Sequence, residues 1–305
     1  AEITTCPAAA YAALLISRIR CAAPPEEGLR IALPFLTGMA FPAAFWEEVL
    51  LPARVKNYRN KLLDELLSTG EYFWRMEAGG KLCLENSERT DWDGGPQIPY
   101  ETLSEPERLV VEILQKRGAS FIQAFGSTLE AEPLREALFL LMEKGIVTAD
   151  SFEPVRLWQN RKKLEKAVAR QRVGARVKAF YAGRFDLVKP LRLFSIQEQM
   201  SLCFERYLIL CRETAAACGL SFQEALSLLR VQEYTGQVRR GYFVEGLSGA
   251  QFIRKEDLEA VTAGLMNPPE DSLWLNASDP AQPFGKILPH AQGRSFTNLP
   301  GTAAA

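Results

Sequence analysis

The sequence predicts a mainly α-helical chain carrying small β wings, and three stretches lead to that prediction. Leu226 to Gly236 is apolar at a helical period, through Leu226, Leu228, Leu229, Val231 and Tyr234, and Gly236 can end the helix by taking a positive φ. A two-stranded wing then reads as Val238 with Gly241 to Val244, a Gly246-Leu247-Ser248-Gly249 reversal, and Ala250 to Ile253. The same grammar recurs at Leu62 to Gly70, followed by Tyr72-Phe73-Trp74, Gly79-Gly80 and Lys81 to Leu84. It recurs again at Leu138 to Gly145, followed by Ile146-Val147-Thr148. Helix, glycine, strand at irregular spacing predicts tandem winged-helix modules rather than one large sheet or a solenoid.

Taken in order, residues 1–28 read as an N-terminal helix of an incomplete module. Ala8 to Ile16 has no cationic segment before it and is followed by Arg18 and Arg20, so an amphipathic helix is favoured over a signal peptide. Residues 29–92 form module 1: helices over Leu29 to Leu36, Ala43 to Leu51 (closed by Pro52) and Tyr58 to Ser68, then the wing. Arg54, Lys56, Arg59 and Lys61 cluster at the start of its third helix, the end expected to approach a groove. Residues 93–155 form module 2, entered through the Gly- and Pro-rich linker 93–101. Ser104 and Glu107 cap its first helix, and its short, cation-free wing lies within Ile146 to Phe152. Residues 156–200 read as a basic linker and helix, 201–265 as module 3, and 266–305 as a Pro-, Gly- and Asn-rich final segment.

The 305 residues supply apolar material for two or three small cores. No apolar run reaches the length of a membrane span. The six cysteines include no C-x-x-C, and His290 is the sole histidine. Buried thiols of a reducing cytoplasm are therefore expected, with no metal site. The net charge of −1 hides an asymmetry: Arg156 to Arg192 holds twelve cations against Glu165 and Asp186. A phosphate chain would offset that surplus, and interleaved rings would stack on bases. The residues expected to meet DNA are Arg161, Lys162, Lys163, Arg170 and Arg172 in this stretch, Arg239 and Arg240 at the third wing, and Trp158 and Tyr242 as stacking platforms. No array of Arg, Asn or Gln along one helix face points to base-specific readout.

Five segments resemble the C-terminal region of the large helicase-related (Lhr) ATP-dependent DNA helicases. They are Arg239 to Phe252, Asp279-Pro280-Ala281-Gln282-Pro283-Phe284-Gly285 with Ser295 to Thr302, Trp46 to Val55, and Leu103 to Leu109. The resemblance implies a DNA-repair helicase whose motor lies N-terminal to this sequence, followed by tandem winged helices and a small β-barrel that 266–305 would begin. It implies ATP and Mg in the parent helicase, with single-stranded or forked DNA and the motor domains as partners. The sequence itself holds no G-x-x-x-x-G-K-[ST] loop and no DEAD-type tetrapeptide, so no cofactor, catalytic residue or ATP hydrolysis is expected of it alone. A fragment or a split gene product fits that pattern. The alternative is a DNA glycosylase of the helix-turn-helix-repeat type acting on a flipped base, suggested only by Gln197-Glu198-Gln199. A homo-oligomeric scaffold built on the apolar Cys203 to Cys218 segment is a third arrangement, which leaves the basic stretch without a role.

Overall fold

The computed structural model describes residues 5–19, 23–126, 128–161, 183–268, 275–290, 294–299 and 303–304. It divides into two compact units, one of Ala22–Leu193 and one joining Ala1–Cys21 to Phe194–Ala305. Each unit has its own apolar core.

In the unit Ala22–Leu193, the first module begins with helix Pro25–Leu36 and strand β1, Phe41–Pro42. A second helix is assembled from Ala43–Phe45, a π turn Trp46–Leu50, and Leu51–Arg54. The stop expected at Pro52 is absent. A proline offers no N–H and crowds the carbonyl four residues back, and the π turn, in which the Leu51 N–H donates to the Trp46 carbonyl, widens the ladder there. Helix Asn60–Ser68 follows, burying Leu62, Leu63, Leu66 and Leu67 at 3.6-residue spacing. The wing is β2, Tyr72–Glu77, with β3, Lys81–Asn86, in an antiparallel sheet of order β1-β3-β2.

The second module opens with helix Glu105–Arg117, capped as the sequence indicates: the Ser104 N–H donates to Glu107 Oε2 at 2.8 Å. Strand β4, Ser120–Phe121, helix Ala131–Glu143 and strand β5, Val147–Ala149, come next. The closing strand does not. It is β6, Arg184–Leu187, which pairs antiparallel with both β4 and β5. The wing is therefore not confined to Ile146–Phe152, and everything from Asp150 to Gly183, helix Glu153–Gln159 included, is an excursion between two paired strands. Phe185 and Leu187 alternate inward on β6, a period-2 signal too short to stand out among the flanking cations.

These two modules share one core. The Thr148 hydroxyl donates to the Trp74 carbonyl at 2.6 Å, and the Trp74 indole N–H donates to the Ser151 carbonyl at 3.0 Å. Gly80, at the tip of the first wing, lies so close to Trp158 that a Cβ there would sit 3.0 Å from the indole. The first wing is thus spent on packing.

The other unit is the third module with additions. Helix Ile196–Tyr207, strand β7 (Ile209–Leu210), helix Arg212–Ala217, helix Phe222–Tyr234, β8 (Val238–Gly241) and β9 (Gln251–Arg254) form a winged helix with sheet order β7-β9-β8. Ser195 and Glu198 cap its first helix. Helix Ala8–Ser17 packs on helix Leu258–Met266, with Leu14 against Gly264, and the Tyr11 hydroxyl donates to the Tyr207 carbonyl at 2.6 Å. Beyond residue 266, Ile287 and Leu288 enter this core, and Leu275–Asn276 pairs with Ala303–Ala304. The described residues contain no closed barrel. No helix among them is long and apolar enough to cross a membrane.

Candidate nucleic-acid interface

Helix Phe222–Tyr234 occupies the recognition position of the third module. The Ser221 side chain accepts from the Glu224 N–H, Ala225 and Leu229 face the core, and Gly236 ends the helix at φ +75°. Val231 and Tyr234, expected on the apolar face, point to solvent instead, 61% and 94% exposed. Their spacing fits the inward stripe, but the small core beneath is filled by Leu229 and its neighbours before the last turn is reached.

Edge strand β8 carries Arg239 and Arg240, opposite Ile253 and Phe252. Both arginines are exposed, and neither has an acidic partner among the described residues. Tyr242, just past the strand, is 63% exposed. The strand expected to continue through Val244 ends at Gly241, because Phe243 and Val244 turn into the core. The wing loop is then tied down from two sides. Buried Gln251 accepts from the Phe243 and Val244 N–H groups at 2.8 and 2.9 Å and donates to the Val244 carbonyl at 2.9 Å. From the N-terminal segment, the Cys6 N–H donates to the Phe243 carbonyl and the Glu245 N–H donates to the Cys6 carbonyl, at 2.8 and 2.9 Å. Glu213 accepts from both the N–H and the hydroxyl of Ser248, and these bonds outweigh burial to hold its carboxyl below the usual range. The arginine pair therefore sits on a fixed support.

The described part of the basic stretch is different. Arg156 is enclosed in an ion network: Glu47 takes it in bidentate fashion at 2.8 Å, Asp64 at 2.8 Å and Glu153 at 2.9 Å. Arg161 pairs with Glu143 at 3.2 Å and lies 4.6 Å over the Trp158 ring. Arg184 pairs with Asp150 at 2.7 Å. Trp158 is 9% exposed, its indole N–H donating to Glu143 at 2.7 Å, so Arg161 and Glu143 already occupy its surroundings. Lys162, Lys163, Arg170 and Arg172 lie outside the described residues. In the first module, Arg54 is buried and donates to the Leu50 carbonyl, and Lys61 pairs with Glu65 at 2.8 Å.

A groove of about 720 Å³ borders the turn between the recognition helix and β8, lined by Gln197, Ser201, Gln232, Gln237 and Arg254 among others. Gln199 does not join Gln197 there, since its side-chain amide donates to the Phe194 carbonyl at 3.1 Å. Among the described residues no group of three or more His, Cys, Asp or Glu could hold a metal ion. Sequence reasoning assigned Tyr234 to the buried stripe and did not single it out as an exposed ring. Its signal is an aromatic one turn beyond the last position the small core can cover.

Comparison with known proteins places these features in context. Family models of the winged-helix domain of the large helicase-related protein match residues 7–86 and 194–272. The chain is similar to the Lhr helicase/uracil glycosylase of Escherichia coli (strain K12), 30% identical over 305 positions that cover 86% of this chain and 20% of that protein. It is also similar to the Lhr helicase/probable uracil glycosylase of Mycolicibacterium smegmatis, 29% identical over 300 positions with the same coverage. It spans about a fifth of the length of these curated relatives.

Proposed function

Because the chain belongs to the winged-helix region of the large helicase-related (Lhr) family, we propose that it is a DNA-binding accessory region of an ATP-dependent DNA helicase acting in repair in the cytoplasm. In this reading it grips DNA phosphates, without base sequence preference, while a motor outside this sequence uses ATP and Mg to move the strand. The observation that carries the reading is the Arg239–Arg240 pair, without acidic partners among the described residues, on an edge strand that follows the recognition helix and leads into a loop locked by Gln251. Guanidinium groups so placed meet the phosphates that flank a helix lying in or along a groove. Lys162, Lys163, Arg170 and Arg172 would add cations from the excursion between β5 and β6. Arg161 would join them by exchanging Glu143 for phosphate.

The test is the salt dependence of binding to a single strand and to a forked duplex. The parent is expected to lose affinity steeply with salt, by about 0.7 to 0.9 in log K per log salt for each phosphate neutralised. Arg239→Glu with Arg240→Glu should give a shallower slope, by roughly two such phosphates. Absence of binding by the parent at low salt would refute the reading.

The names of both relatives, each a helicase/uracil glycosylase or probable uracil glycosylase, support a second reading, a glycosylase acting on uracil in DNA. The groove bearing Gln197 and Gln237 is the place for an extruded base on that view, because amides complement a base edge. Release of free uracil from a uracil-containing strand, abolished by Gln197→Ala, would support it; a chain that binds such a strand and releases nothing would exclude it.

A further inference from the structure

We infer that the recognition helix of the third module stacks unpaired DNA bases on Tyr234, with Tyr242 as a second platform, rather than reading the edges of paired bases. This rests on the DNA-binding reading above and adds to it the residue that meets the bases of an unpaired strand.

The outward face of helix Phe222–Tyr234 is Gln223, Ser227, Arg230, Val231 and Tyr234, residues three or four apart that share one side of a helix, with the one amide confined to the first turn. A helix that reads a duplex presents amide, guanidinium or carboxylate groups to base edges. The last two turns here present an isopropyl group, a phenol ring that is 94% exposed, one guanidinium, the Ser227 hydroxyl and the Glu233 carboxylate, so the ring is the largest group offered. A ring offers a face, and the face of a base is available only when the base has left its stack. Tyr234 makes no contact with the core that its exposure leaves room for, so neither folding nor packing accounts for an aromatic at this position.

The charges around the rings suit a nucleic-acid strand. Arg230, Arg239 and Arg240 are exposed and lack acidic partners among the described residues. The acids of the same stretch are Glu224 at the far end of the helix, Glu233 beside Tyr234 and Glu245 beyond the wing strand. Only three residues, Thr235 to Gln237, separate Tyr234 from β8, and Tyr242 follows the arginine pair after Gly241. The order along the chain is thus ring, two cations, ring. Strand residues advance by about 3.3 Å each, which sets Tyr242 roughly 10 Å from Arg239. A strand passing over β8 can leave its phosphates on the arginines and turn a base toward the tyrosine on either side.

The experiment compares a thymidine oligomer with an oligomer of the same length in which every residue is abasic, so that phosphates are kept and bases removed. Affinities are measured at one salt concentration for the parent chain, Tyr234→Ala, Tyr234→Trp, and Arg239→Glu with Arg240→Glu. The parent should bind the thymidine oligomer at least about 5-fold more tightly than the abasic one. Tyr234→Ala should shrink that preference and leave abasic binding unchanged, Tyr234→Trp should keep it, and the arginine variant should weaken binding to both oligomers. Equal parent affinity for the two oligomers, or a preference that survives Tyr234→Ala intact, would overturn the stacking inference while the phosphate-gripping function stands. Failure of the parent to bind either oligomer would overturn both. Because Tyr234 is almost wholly in solvent, its replacement by alanine leaves the fold in place, and loss of preference cannot be assigned to unfolding.

Discussion

Arg156 finds its partners far from its own segment: Glu47 lies 109 residues away and Asp64 lies 92 away. A charge sum along the sequence counts Arg156, Arg161 and Arg184 as surplus, whereas the fold neutralises each with an acid from outside the segment or its margin. Local bookkeeping of charge was therefore legible but misleading, because ion pairs form in space. Removing the guanidinium leaves Glu47 and Asp64 partly buried and unpaired, so Arg156→Ala should destabilise its unit by about 3 kcal/mol, read from the urea midpoint. Glu107 offers a test by pH. Burial pushes its carboxyl up, but hydrogen bonds from Lys144 at 2.5 Å and from Ser104 outweigh that and hold it below the usual range. With the folded value below the unfolded one, the unfolded chain takes up the proton first. The contribution is then complete above the ordinary carboxylate value of about 4.3 and is lost as pH falls through the folded value. Glu107→Gln should flatten the acid limb of the stability profile and leave the slope at neutral pH unchanged.

Among elements, the helix stops were the most legible, since a glycine with positive φ has a local cause: Gly70, Gly145 and Gly236 all end helices at φ between 68° and 76°. Gly145 also has no room, as a Cβ would meet the Met76 carbonyl oxygen at 2.7 Å, so Gly145→Ala should cost about 2 kcal/mol in thermal or urea unfolding. The cap at Ser104 was readable for the same reason, and Ser195 with Glu198 forms a cap of the same S-x-x-E pattern. The continuation past Pro52 was not readable, because a π turn has no sequence signature comparable to a glycine stop. Nor was the end of β8 at Gly241. It depends on Gln251, ten residues on, supplying the acceptor that a partner strand would otherwise give to Phe243 and Val244. Gln251→Leu should strand those two amides, destabilise the module by about 2 kcal/mol and speed hydrogen exchange at Phe243 and Val244 ahead of the recognition helix.

At the scale of the whole molecule, the sequence announced winged modules through a repeated grammar, yet it gave no hint of how the chain divides between two cores. The pairing partner of a four-residue strand such as Arg184–Leu187 is decided by which edge is open, and that is a tertiary property. Two separate cores predict two calorimetric transitions, with Arg156→Ala lowering one and Gln251→Leu the other; a single transition shifted by both substitutions would contradict this. The excursion between β5 and β6 has a last consequence. A protease cut anywhere from Lys162 to Ala182 yields two pieces, and each piece contributes to both units: the first supplies helix Ala8–Ser17 to one core and β4 and β5 to the other, and the second supplies β6 and the third module. The nicked protein should elute from a sizing column as one particle and separate only in denaturant, so two co-expressed halves broken there should reassemble by fragment complementation.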